Sequence, residues 1–413
     1  MTKTLSRRAF LSRSAVLGCS LAASPLLTPV SFAAAPWDTR LIVIILRGGM
    51  DGLDVVQPYG DPDFAAARSA LPGGPANGAH DLDGFFALHP KLAPLMPLWR
   101  KQELGFVHAV STPYRDKRSH FDGQDLLEAG TVSMNGVHDG WLNRMLQVTK
   151  GVETTTAYAI GNEDMNLLAG AAPVSNWSPD VDLVLSPQAR RLAAMIMQDD
   201  PTMNAALQEA LTLVDRGALE KELAQLDEPD TMDGDMQMTP ADPMVQGNTA
   251  GHIRIAQFAA QQLRNDARIA AFSLNGWDTH FRQTANLGRA LTRLSETILA
   301  LHTELSAPIW QKTAILVMTE FGRTVRINGT SGTDHGTGGA MIYAGGALRG
   351  GRVLGDWPGL SEADQYQRRD LMPTGDVRAI AAWAMRGLTG LDQTALETTV
   401  FPGLSMGDNP RLL

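Results

Sequence analysis

The chain has 413 residues, with 35 Lys and Arg against 44 Asp and Glu (formal charge −9), 44% hydrophobic residues and a single cysteine, Cys19. That apolar content is enough to bury a large core, and the acidic balance disfavours nucleic acid and anionic membranes as partners. Cys19 lies in the leader described next, so the rest of the chain has no disulfide, no thiol nucleophile and no Cys-bound zinc.

Residues 1–33 read as a twin-arginine signal peptide. Ser6-Arg7-Arg8-Ala9-Phe10-Leu11 precedes a mildly apolar run from Ser14 to Leu27, and Ser31-Phe32-Ala33 offers a small-residue cleavage site. The run is interrupted by Ser20, Ser24 and Pro25, so it falls short of the roughly 18 to 20 consecutive apolar residues that a spanning helix needs. A lipoprotein reading at Cys19 is weaker, because Val16-Leu17-Gly18 is a poor acceptor motif and lies early in the run. The leader predicts folded export to the periplasm, with the twin-arginine translocase as the partner during transit. Without the leader the balance is 31 basic against 44 acidic residues, or −13. No second apolar run is long enough to span a membrane, so no stable membrane insertion of the mature chain is expected.

Residues 36–413 are expected to form a single α/β domain. Leu41 to Leu46 are six consecutive aliphatic residues, the pattern of a central parallel strand buried on both faces. Arg47-Gly48-Gly49-Met50-Asp51-Gly52 follows, with glycines for a sharp turn that delivers Asp51 to the carboxyl edge of the sheet. Phe106 to Val110 reads as the next strand and Ser119 to Gly130 as the helix after it. Ser186 to Asp215 and Ala250 to Asn265 show helical periodicity. Between them, residues 227–248 form an acidic, Met-rich insertion with Met232, Met236, Met238 and Met244. It is expected as a surface loop; a Cu(I) site built from its thioethers is the alternative.

Ala270 to Leu274 and Thr313 to Met318 are further strand candidates, ending in Gly276-Trp277-Asp278-Thr279-His280 and Thr319-Glu320-Phe321-Gly322-Arg323. Leu287 to Leu305 carries an amphipathic stripe and Val377 to Leu388 a closing helix. Strand ends that each deliver a carboxylate suit a doubly wound sheet, which assembles one site from distant segments.

The candidate metal ligands are Asp51, Asp278, His280, Glu320, Asp334 and His335. Carboxylates mixed with imidazoles suit Zn, Mn, Mg or Ca rather than soft copper, and metal-assisted hydrolysis is the favoured chemistry. Competing structural roles are a helix cap or turn for Asp51 and a salt bridge with Arg323 for Glu320. Ser119 is the candidate nucleophile, with Arg118 to bind an oxyanion and His120 to shuttle a proton; alternatively Ser119 caps a helix.

Six ordered motifs carry a resemblance: Leu46 to Asp54, Arg118-Ser119-His120-Phe121, Gly140-Trp141-Leu142, Gly276 to His280, Thr319 to Thr324 and Gly332-Thr333-Asp334-His335-Gly336. With these the chain resembles the exported DUF1501 family, which in turn is similar to the alkaline phosphatase and sulfatase superfamily. The resemblance implies a three-layer α/β/α fold with a mostly parallel central sheet and a metal site at its carboxyl edge. Asp51 would match the Asp after the first strand, Ser119 would lie near the nucleophile, and Asp278, His280, Glu320 and His335 would take later ligand positions. The superfamily has an adjacent Asp-His pair where this chain has Glu320-Phe321, so an imidazole is missing there unless Asp334 or another His compensates. The expected activity is an exported metal-dependent hydrolase of phosphate or sulfate esters, acting on a small-molecule ester. The alternative is a non-catalytic envelope binding or assembly protein on a degenerate fold. An exported redox partner fits less, since there is no haem or dinucleotide motif.

Overall fold

The computed structural model describes residues 37–115, 118–134, 138–161, 165–178 and 243–413, with residues 243–250 described by their backbone alone. The leader, the helix expected over 186–215 and most of the Met-rich insertion lie outside these residues.

Nine strands form the main sheet: β1 (Arg40–Arg47), β2 (Leu104–Ser111), β3 (Ala157–Ile160), β4 (Ser175–Trp177), β5 (Ile269–Asn275), β6 (Thr313–Thr319), β7 (Gly339–Ala344), β8 (Val353–Leu354) and β9 (Gly375–Asp376). Their order is β8-β2-β7-β6-β1-β5-β3-β4, with β9 beside β2. The aliphatic run of β1 lies at the centre, parallel to β5 and β6, with Leu41 opposite both Ile269 and Ala314. The sheet is mostly parallel, as expected, and β7 alone runs antiparallel to its neighbours β2 and β6.

Alternation along β1 divides the core in two. Ile42, Ile44 and Leu46 pack on one face with residues of α3 (Pro243–Arg264) and α4 (Gln283–Glu304), among them Leu263, Leu287, Leu291 and Ile298. Leu41, Val43 and Ile45 pack on the other with Leu127 of α1 (His120–Ala129), Trp141 of α2 (Trp141–Val148) and Ala381 of α5 (Val377–Thr389). Both sheet faces are therefore covered by helices, which explains why the strands read as continuous apolar runs.

One expectation needs correction. Residues 243–248 were expected to end the insertion loop, but they open α3. Pro243 supplies the reason, since its fixed φ and missing N–H suit the first position of a helix. Among the described residues no helix is long and apolar enough to cross a membrane.

Candidate metal centre

The carboxyl ends of β1, β5 and β6 bring distant segments together. Gly48 and Gly49 turn the chain out of β1 with φ of 124° and 70°, and a Cβ on Gly48 would stand 2.5 Å from the Asp278 backbone nitrogen. Only glycine permits that approach. Arg323, 1% exposed, fixes the arrangement from beneath. It donates to the carbonyls of Gly49 (2.6 Å), Thr333 (3.0 Å) and Trp277 (3.1 Å), to that of Gly48, and to Asp278 Oδ1 (2.6 Å). Arg323 thus pairs with Asp278 and not with Glu320.

Three imidazoles converge on the Asp278 carboxylate. His280 Nε2 lies 3.1 Å and His335 Nε2 3.3 Å from Oδ1, and His120 Nε2 lies 3.4 Å from Oδ2. The Nε2 atoms of His280 and His335 are 2.9 Å apart. Ligand atoms of His120, Asp278 and His335 all lie within 4.8 Å of one another. In each ring the opposite nitrogen faces an oxygen: His120 Nδ1 meets Glu320 Oε1 at 2.8 Å, His280 Nδ1 meets Asp334 Oδ1 at 3.0 Å, and His335 Nδ1 meets the Arg118 carbonyl at 2.7 Å. An oxygen at each Nδ1 and Asp278 at each Nε2 fix the rings so that all three Nε2 atoms are directed inward. This is how histidine ligands are oriented by the residues behind them.

His120 Nε2 is buried, and its contact with Asp278 does not have hydrogen-bond geometry, so this nitrogen has no hydrogen-bond partner. The carboxylates of Asp278 and Glu320 push this imidazole up to about 9, against a smaller opposing effect of burial. A field that favours a proton at Nε2 also favours a metal cation in its place. Burial alone would raise the Asp278 carboxyl, but the neighbouring His120, His335 and Arg323 hold it far below the usual carboxylate range. Glu320 is likewise lowered despite burial, through His120, Gln124 and the Gly48 N–H. Phe321 stacks beneath His120 and lies against His335, with centroids at 5.1 and 5.0 Å. Phe121 and Phe281, which follow His120 and His280 in the sequence, are exposed.

The six expected ligands separate into groups. Asp278, His280 and His335 meet; Glu320 and Asp334 stand behind them as partners of imidazoles. Asp51 is elsewhere, caught between Arg68 (2.7 and 3.0 Å), Gln283 (2.6 Å) and Thr333 (3.2 Å), and it also caps a short helical turn at Gly52–Val55. Its carboxylate is consumed by these donors, so nothing of it faces the cluster. Ser119 is the N-cap of α1, its Oγ accepting from Asp122 N at 3.4 Å. Arg118 contributes its carbonyl to His335, while its guanidinium lies 3.7 Å from Asp370.

His120, expected from its place beside Ser119 as a proton shuttle, stands instead among the inward-facing imidazoles. The signal was available: an imidazole was lacking at Phe321, and His120 opens the helix that follows β2 at the same sheet edge.

A mostly parallel sheet between two helical layers, with a histidine and carboxylate cluster at its carboxyl edge, defines an α/β protein with a candidate metal centre where such sheets assemble their sites. The family model described as "Protein of unknown function (DUF1501)" matches residues 109–379, and the chain belongs to that family. The matched span includes all three inward-facing histidines and omits Asp51.

Solved structures with some likeness include the lipoteichoic acid synthase LtaP from Listeria monocytogenes, at 9% identity over 89% of this chain and 76% of that one, TM-score 0.39. Others are a protein in the alkaline phosphatase superfamily from Vibrio parahaemolyticus (10%, 97% and 80%, TM-score 0.39) and the C-terminal periplasmic domain of EcEptC from Escherichia coli in complex with Zn (10%, 91% and 92%, TM-score 0.39). Likeness at this level carries no argument about chemistry. No curated protein sequence matches the chain.

Proposed function

We propose that the protein is a metal-dependent hydrolase of phosphate or sulfate esters, with His120, Asp278, His280 and His335 as the metal-holding set. The observation that carries this reading is the shared orientation of three imidazoles, each with Nδ1 on an oxygen and Nε2 turned to Asp278. Three nitrogens and a carboxylate suit Zn²⁺ or Mn²⁺ better than the all-oxygen preferences of Mg²⁺ and Ca²⁺. A divalent cation held there supplies Lewis acidity to an ester oxygen. Glu320 and Asp334 keep two of the rings in the required tautomer, and Arg323 holds Asp278 in place. The exposed half of Asp278 leaves the set open to a substrate.

Metal content of purified protein, with and without chelation, tests the reading together with turnover of aryl phosphates and sulfates. One equivalent of metal and metal-dependent turnover are expected; wild-type protein that binds no divalent metal refutes it. The helix-capping place of Ser119 favours a second reading, a metal-bearing but non-catalytic envelope protein, for which metal would bind without turnover. Residues 1–33 support export to the periplasm by the twin-arginine route. Arg7→Lys combined with Arg8→Lys should hold the precursor in the cytoplasm, and normal accumulation of the double variant outside it would refute that route.

A further inference from the structure

A cleft of about 410 Å³ opens beside the end of β2, with Ser111, Thr112, Arg115, Val132, Thr374 and Arg378 in its walls. β2 reaches it through a bulge: Ala109 takes φ 54°, and the pairing with β7 slips between Val110 and His108. A bulge at a strand end re-aims the residues beyond it, and strain of this kind concentrates at functional sites.

Ser111 is 7% exposed and its Oγ is buried without a hydrogen-bond partner. Such an orphan donor is costly unless something accepts from it. Arg115 donates from Nη1 to the carbonyls of Thr112 and Tyr114, which leaves Nε and Nη2 uncommitted. Among the described residues no carboxylate pairs with Arg115. The other cation in the wall is spent, since Arg378 grips Asp376 through Nε (3.1 Å) and Nη2 (2.7 Å). The uncommitted positive charge of the cleft is therefore that of Arg115.

The cleft adjoins the metal centre through the same short segment. Thr112 Oγ1 donates to the Glu320 carbonyl at 3.3 Å, and the Glu320 side chain holds His120. Tyr114 stacks on Phe321, and its hydroxyl accepts from the Ser119 N–H at 2.7 Å.

We infer that this cleft is an oxyanion subsite, in which the free edge of the Arg115 guanidinium and the Ser111 hydroxyl hold a phosphate, sulfate or carboxylate group. If the neighbouring cluster is a hydrolytic centre, on which this extension rests, its substrate carries a second acidic group beyond the ester that is cleaved. Anion binding itself does not depend on that reading.

Chelator-treated protein titrated with inorganic phosphate, sulfate and acetate, followed by calorimetry, tests the subsite. Binding at one site is expected, weakened about tenfold or more by Arg115→Gln, less by the charge-preserving Arg115→Lys, and unaffected by His335→Ala. Ser111→Ala, which removes the orphan hydroxyl and no observed bond, should weaken it about threefold and serves if Arg115→Gln folds poorly. The anion that binds tightest identifies the acidic group. Equal binding by wild type and Arg115→Gln, or no binding by wild type, overturns the inference. Binding abolished by His335→Ala but kept by Arg115→Gln would place the anion at the cluster, so the subsite would fall while the metal reading stood. Binding lost only in the cleft variants of a protein that takes up no metal would do the reverse.

Discussion

Asp51 and Asp278 leave neighbouring central strands at the same sheet edge, and their surroundings could hardly differ more. Asp51 is 1% exposed and sealed by a bidentate Arg68, Gln283 and Thr333. The Asp278 side chain is 46% exposed and ringed by three imidazoles above one buried arginine. The first carboxylate is fully paired, within a network that also ties its donors to Thr324, Val325 and Asp54, so its environment resists change. The second faces three inward-turned imidazole nitrogens, so its environment suits a cation. Position at a strand end thus does not distinguish a structural carboxylate from a ligand; the identity of its partners does.

Breaking the sealed side should have the largest effect. Arg68→Met strands the Asp51 charge among Arg68's former contacts and should cost about 3–5 kcal/mol in denaturant unfolding, while the folded variant should match the wild type in divalent-metal binding. Loss of metal at unchanged stability would reverse the roles assigned to the two carboxylates.

Next comes acid sensitivity, which also belongs to the buried side. His108 lies in the middle of β2, 2% exposed and stacked on Phe86, and burial pushes its imidazole down to about 4. Between pH 4 and the ordinary value near 6.5 the unfolded chain binds a proton that the folded chain refuses. Stability is therefore full above about pH 6.5 and falls as the pH drops toward 4, by about 3 kcal/mol. Asp51 has the familiar carboxylate sign: its carboxyl is lowered by Arg68 in spite of burial, so its contribution is present above about pH 3.9 and lost only in stronger acid. His108→Gln should flatten the slope between pH 6.5 and 4 in urea titrations at stepped pH. An unchanged slope would show that His108 does not control this limb.

On the open side, a cation at one hundred times its dissociation constant should stabilise the wild type by about 2.7 kcal/mol. His120→Ala and His335→Ala should lose most of that gain, measured for each variant against its own chelated form, since each also gives up its contact with Phe321. Thermal melts with and without Zn²⁺ or Mn²⁺ read it directly. A gain that survives both substitutions would move the metal elsewhere.

The framework of this site was legible from local pattern. The aliphatic runs of β1 and β6, the stripe of α4 and the Ser119 to Gly130 helix needed only periodicity and capping residues, and Asp278-Thr279-His280 needed only the alternation of an extended segment. What was not legible depended on pairings across hundreds of residues. Arg68 lies seventeen residues from Asp51, but it also binds the carbonyls of Thr324 and Val325, and Gln283 comes from 232 residues away. No local signal separates a carboxylate with those partners from a ligand. The antiparallel course of β7 was hidden for a related reason: a strand buried on both faces reads the same in either direction.

The smallest effect is the sharpest test of what the open side does. Ser119 starts α1 with extended backbone and accepts from Asp122 N, a role in which Ser→Ala costs about 1 kcal/mol. If that is its whole role, Ser119→Ala should lose about this much stability while metal content and turnover are unchanged, and the attacking group in hydrolysis must be water. If the hydroxyl is the nucleophile, turnover should collapse at an equally small stability cost, because removing one hydroxyl leaves the three imidazoles and Asp278 in place. Both outcomes share the same stability change, so turnover alone decides between them. The geometry favours the first: the Ser119 hydroxyl faces its own helix, whereas the neighbouring His120 ring is the group turned toward Asp278.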